Sequence, residues 1–196
     1  MKKYKNTIKS LYIDSFNYIK TCKKFILAII IIFFMGTIIG LILPLPQEII
    51  LQIMEMLKKI LGQIEGKTTM EIIEFIFINN TKASLIGLVA GIFMGIVPII
   101  LALTNGYLLG FVMQISIDSE GIFMLWRLFP HGIFELPAIF ISLGMGLHLG
   151  TFIFQKDTAK ALKENIKNSL IAFTLIILPL LIIAATIEGI LISLSI

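Results

Sequence analysis

The sequence predicts an all-α membrane protein: a bundle of about five transmembrane helices with amphipathic helices at its interfaces. Three observations predict it. First, 58% of the 196 residues are hydrophobic and only 14% are charged, with a mean hydropathy of +1.01. A soluble domain is nearer about 45–50% apolar and roughly 25% charged, and one globular core of this size cannot hide the excess. Second, the apolar residues gather in uncharged runs long enough to cross hydrocarbon. Third, glycine recurs at every fourth position along those runs, the small-residue pattern of packed membrane helices. This composition excludes a water-soluble enzyme and a disordered tail, and the single Cys22 excludes a disulfide scaffold.

Residues 1–24 form a basic cytoplasmic segment. Tyr4, Ile8, Leu11, Tyr12, Ser15 and Ile19 fall on one helical face there, which predicts an amphipathic helix lying at the membrane interface. Residues 25–196 form one membrane domain. Its first span, 25–43, carries no charge and ends before Pro44 and Pro46; it measures about 28 Å as a helix. No small-x-small cleavage pattern follows it, so it reads as a retained anchor rather than a signal peptide.

The outer segment, 44–82, is the one sizeable extramembrane piece. Glu48, Gln52, Glu55, Lys59 and Gln63 recur beside Ile49, Ile53, Leu57, Ile60 and Ile64, predicting an amphipathic helix stopped near Gly62 or Gly66. Thr68-x-x-Glu71 fits a capping box that opens a second helix, Met70 to Ile78. These helices lie on the outer leaflet, cap the bundle or dock an outside partner. Asn79-Asn80-Thr81 satisfies the glycosylation pattern, but directly before a span it reads as a helix cap.

The remaining spans are read at 83–103, 107–125, 135–150 and 170–188. Residues 118–135 either re-enter the membrane or form an outer loop. A cytoplasmic basic loop, 151–168, carries a short helix with Ala159, Leu162 and Ile166 as its apolar stripe. Orientation follows the lysines: seven lie in residues 1–24 and four in the 151–168 loop. By the positive-inside rule this puts a multi-pass protein in the cell membrane with the N-terminus cytoplasmic and the C-terminus outside. The net charge of +4 therefore faces anionic lipid of the bilayer and implies no nucleic acid.

Gly36 and Gly40 mark the first span, Gly87, Gly91 and Gly95 the second, Gly106 and Gly110 the third, and Gly146 and Gly150 the fourth. Ala185 and Gly189 repeat the spacing in the fifth. Close backbone approach and dispersion must supply helix association in lipid, so these are packing faces, within one chain or between copies in a homo-oligomer.

One polar stretch stands out: Arg127, Pro130, His131, Gly132, Glu135 and Pro137, beside the single Trp126. Ionisable groups at membrane depth are unfavourable unless paired or wetted. Arg127, His131 and Glu135 are spaced four apart and share a helical face, while Pro130 and Pro137 begin or kink the helix. The arrangement suits first a network that locks spans together, then a proton or ion path. A metal site from His131, Glu135 and His148 ranks below both, and no metal or cofactor is assigned. Paired aspartates, a Ser–His pair and His-Glu-x-x-His are all missing from the sequence, so no catalytic residue is assigned.

Pro130-His131-Gly132-x-x-Glu135-x-Pro137-Ala138, followed by Gly146-Leu147-x-Leu149-Gly150, resembles the stage II sporulation protein M family. Asn79-Asn80 before a glycine-striped span and Asn105-Gly106-x-x-x-Gly110 fit the same order. The resemblance implies a polytopic membrane protein without catalysis, which in spore formers scaffolds two peptidoglycan-degrading partners, sporulation proteins D and P, during engulfment. His148 departs from the basic residue that the family implies before Leu149.

The expected function is a non-enzymatic membrane scaffold that recruits membrane or cell-envelope proteins, peptidoglycan hydrolases among them, through segment 48–78 and the glycine faces. The alternative is a transporter or channel subunit that handles protons or ions at His131 and Glu135.

Overall fold

The computed structural model describes residues 8–43, 46–121 and 129–195. Among the described residues 92% are helical, in eight helices and no strand. α1 (Ile8–Thr21) meets α2 (Lys23–Ile42) at a one-residue break. α3 (Gln47–Ile64), α4 (Thr69–Val89), α5 (Ile96–Glu120), α6 (Phe129–Leu149), α7 (Thr158–Ala172) and α8 (Leu178–Ser195) follow. Among the described residues five helical stretches are long and apolar enough to cross a membrane, and their register fixes their directions. Phe33 and Thr37 of α2 meet Gly106 and Gly110 of α5 in the same chain order, so those two helices run parallel. Ile73 of α4 meets Gly189 of α8, while Leu88 shares a core cluster with Ala172 and Ile177, so those two run antiparallel. α2, α5 and α8 therefore point one way and α4 and α6 the other, which puts α1 and the end of α8 at opposite ends of the bundle.

Several element boundaries differ from the hydropathy reading. α4 runs without interruption from Thr69 to Val89 and ends in a 3-10 turn at Ala90–Ile92. Its start carries the capping box read from the sequence, with the Thr68 hydroxyl and Glu71 bonded reciprocally. Asn79, Asn80 and Thr81 consequently sit inside a helix, and the capping role expected for them fails.

The reversal between the second and third spans lies at 93–95, where Met94 and Gly95 take positive φ of 54° and 73°. The expected span 83–103 straddles this turn. The apolar run is continuous through it, so hydropathy cannot register a turn made by backbone conformation alone. Pro98 falls in the first turn of α5, where its missing N–H breaks no helix bond.

The expected basic loop of 151–168 is largely helical. A 3-10 turn (Gly150–Phe154) leads to α7, capped by the Asp157 carboxylate on the Lys160 amide at 3.1 Å. α7 continues through a π turn at Phe173–Ile177 into α8. Pro179 accounts for that turn: its ring would strike the carbonyl four residues back and it offers no N–H, and widening the helix relieves both. The helical stretch Thr158–Leu194 has 37 residues, or about 55 Å. This exceeds the hydrocarbon core, so the lysine-bearing α7 projects beyond it.

Two core clusters fill the bundle, one around Leu88, Met145, Phe173 and Leu181 and one around Ile29, Phe33, Phe140 and Leu143. A third, of Ile64, Ile72, Ile76 and Ala185, anchors the end of α3.

Candidate functional site

The glycines define how the spans meet. Cβ atoms on Gly36 and Gly40 would strike the Leu103 and Tyr107 carbonyls, and Cβ atoms on Gly106 and Gly110 would strike the Phe33 and Thr37 carbonyls. α2 and α5 are thus notched into each other, backbone on backbone. α4 and α6 cross in the same way: Gly91 lies on the Gly146 carbonyl, Gly146 on Gly87, and Gly150 on Gly95. Gly87 accommodates the Leu143 side chain, and Gly144, absent from the sequence reading, seats Ile26. All of these faces are occupied within one chain. A cross-span hydrogen bond reinforces the second crossing, with the Ser142 hydroxyl donating to the buried Ser84 carbonyl at 2.8 Å.

Of the polar stretch, Arg127 and Trp126 lie outside the described residues, and for Pro130 and His131 only the helical backbone is described. The expected Arg–His–Glu line therefore has only Glu135 within the described side chains. Glu135 is half-buried on α6 and engaged by another residue. Among the described residues a Cβ on Gly132 would meet only Leu136 of its own helix, and Pro137 is exposed, with buried Ala138 beside it. His148 sits at the other end of α6, roughly 20 Å along the axis from Glu135, so the metal trio His131, Glu135 and His148 cannot converge on one ion.

What the fold does assemble is a polar node at the lysine-rich end. The Tyr18 hydroxyl lies 2.9 Å from the Ser169 hydroxyl, 3.4 Å from His148 Nδ1 and 3.3 Å from the Asn165 carbonyl, to which it can donate. The His148 ring is edged by Tyr18 and by Phe25, whose centroids are 5.8 and 5.1 Å away, and Thr151 donates to the His148 carbonyl at 2.7 Å. Cys22, fully buried, closes the node. Burial pushes the Tyr18 hydroxyl well above its ordinary range and the Cys22 thiol up to about 11.

Tyr18 pairs with residues 165 and 169, and Cys22 packs with Ala172 and Phe173. α1 therefore runs parallel to α7 and turns Leu11, Ser15, Tyr18 and Ile19 inward, while Ile8 and Tyr12 remain exposed. Part of the face assigned to lipid from the sequence is thus a protein contact. The sequence did hold a signal for it: Leu11, Ser15, Tyr18 and Cys22 recur at helical spacing with small and polar members, unlike a purely apolar lipid face.

The fold and these contacts define a polytopic α-helical membrane protein held together by glycine crossings. The family model for stage II sporulation protein M matches residues 29–191, and the chain belongs to that family. The chain is also similar to the "Uncharacterized protein MJ0793" of Methanocaldococcus jannaschii, with 32% identity over 119 residues, 58% of this chain. It spans 66% of that relative's length. No solved structure matches the chain.

Proposed function

We propose that the protein is a non-enzymatic membrane scaffold, with its lysine-rich end in the cytoplasm and its C-terminus outside, that positions cell-envelope proteins at the membrane. The observation that carries this reading is the placement of α3. Among its residues with described side chains only Ile64 is buried. The helix is tethered there to Ile72 and Ile76, while Ile49, on the same face as Ile53 and Ile64, stands exposed at 41%. An amphipathic helix of 18 residues, anchored at one end beside a rigid bundle, presents an apolar edge that a partner can cover. The glycine faces do not fill that role, because they are occupied within the chain. In a spore former the partners are peptidoglycan-remodelling enzymes.

The test is quantitative crosslinking in native cells of the wild type against Ile49→Asn/Ile53→Asn. Loss of envelope-protein crosslinks with unchanged thermal stability of the bundle is expected. An unchanged crosslink set, or a hydrolytic turnover that disappears in Glu135→Gln, would overturn the scaffold.

A further inference from the structure

The outward face of α4 carries a charge that the fold leaves in the apolar layer. Ile78, Asn79, Lys82, Ile86, Val89 and Phe93 recur at three- and four-residue spacing and are all exposed. The hydrogen bond from Ser142 to Ser84 sets α4 and α6 in parallel register, so Lys82 is level with Phe140. The Phe140 ring lies 5.0 Å from Phe33, eight residues, or about 12 Å, inside the uncharged run that begins at Phe25. An extended lysine reaches only about 6 Å. Among the described residues no carboxylate pairs with Lys82. A lipid-facing ammonium at this depth is strongly unfavourable without a counter-charge. Directly below it, Leu85, Ile86, Ala90 and Phe93 border a shallow apolar groove of about 490 Å³.

We propose that this face of α4 seats a transmembrane helix of a different protein, one that carries an Asp or Glu at mid-depth to pair with Lys82, its apolar flank lying in the groove. Charge complementarity selects the occupant. A second copy joined α4 to α4 would bring Lys82 against Lys82, because copies share one orientation and Glu71 and Glu74 lie two to three turns away along the helix. The proposal deepens the scaffold reading and rests on it for the occupant being a protein.

The probe is a synthetic leucine–alanine span with one central Glu, compared with the same span bearing Gln. Association with the full chain is measured by energy transfer in phosphatidylcholine vesicles. The Glu span binds at least tenfold tighter than the Gln span, Lys82→Met levels the two, and Lys82→Glu transfers the preference to a span with a central Lys. That reversal also reports that the variant is folded. Equal binding of the Glu and Gln spans, or a preference that survives Lys82→Met, overturns the proposal and leaves Lys82 to lipid phosphate. Because no other protein is present, failure here leaves the α3 docking surface standing.

Discussion

The hydroxyls of Tyr18 and Ser169 stand 2.9 Å apart, joining the helix before the first span to the helix that enters the last. Tyr18→Phe keeps the ring against His148 but removes the oxygen shared by Ser169, His148 and the Asn165 carbonyl. An abandoned buried polar group is destabilising by about 1–3 kcal/mol, and the loss is confined to the α1–α7 contact. Hydrogen exchange should show α1 amides losing protection in Tyr18→Phe while α5 and α6 stay unchanged. Equal loss throughout the bundle would contradict the local clamp.

The α2–α5 crossing predicts a sharp contrast between two glycines. A methyl group at Gly106 meets the Phe33 backbone, which cannot rotate away, whereas Gly62 in α3 has open space around it. Gly106→Ala should lower bundle stability by about 1–3 kcal/mol through overpacking. Gly62→Ala should be neutral or raise it by up to about 1 kcal/mol, because alanine has less conformational freedom to lose than glycine when the helix forms. Unfolding in mixed detergent micelles measures both, and equal effects would refute the crossing.

Much of this architecture is written in composition and spacing. Uncharged runs reveal that spans exist, and Gly36, Gly40, Gly106 and Gly110 reveal which faces pack, because only close backbone approach explains glycine at that interval. The turn at Met94–Gly95 was hidden because both neighbouring helices are apolar. The α1–α7 pairing was legible only on one side: Leu11, Ser15, Tyr18 and Cys22 mark a packing face on α1, but the distance in sequence from Tyr18 to Ser169 leaves its partner unnamed. Lys82 is exposed within α4 because that helix runs unbroken through Asn79–Thr81, a continuity that hydropathy does not register.

The reversal at Gly95 can be separated into conformation and packing. Gly95 and Gly66 share a φ of +73°, but a Cβ on Gly95 would stand 2.7 Å from Leu147 Cδ1 while one on Gly66 meets nothing. Alanine at either position bears the left-handed penalty of about 1–2 kcal/mol. Gly95→Ala should therefore exceed Gly66→Ala by the crowding against α6, and Gly95→Ala/Leu147→Ala should recover part of that excess in a double-mutant cycle. No coupling between the two changes would show that the turn does not bear on α6.

Cys22 predicts a loss of stability in alkali. Burial raises its thiol from 9.0 to about 11, so the folded chain holds the proton more tightly than the unfolded one. The associated stabilisation is complete below pH 9 and declines as pH rises toward about 11, because the unfolded thiol ionises first. Tyr18 shifts in the same direction above its ordinary 10.0, so Cys22→Ala should flatten the decline between pH 9 and 10 while leaving the steeper part above it. The readout is thermal unfolding across that range, paired with maleimide labelling. Wild-type Cys22 should label slowly at pH 8, since it is fully buried and protonated, and its labelling should quicken in Tyr18→Phe as α1 opens. Rapid labelling of the folded wild type at pH 8 would refute the closed node.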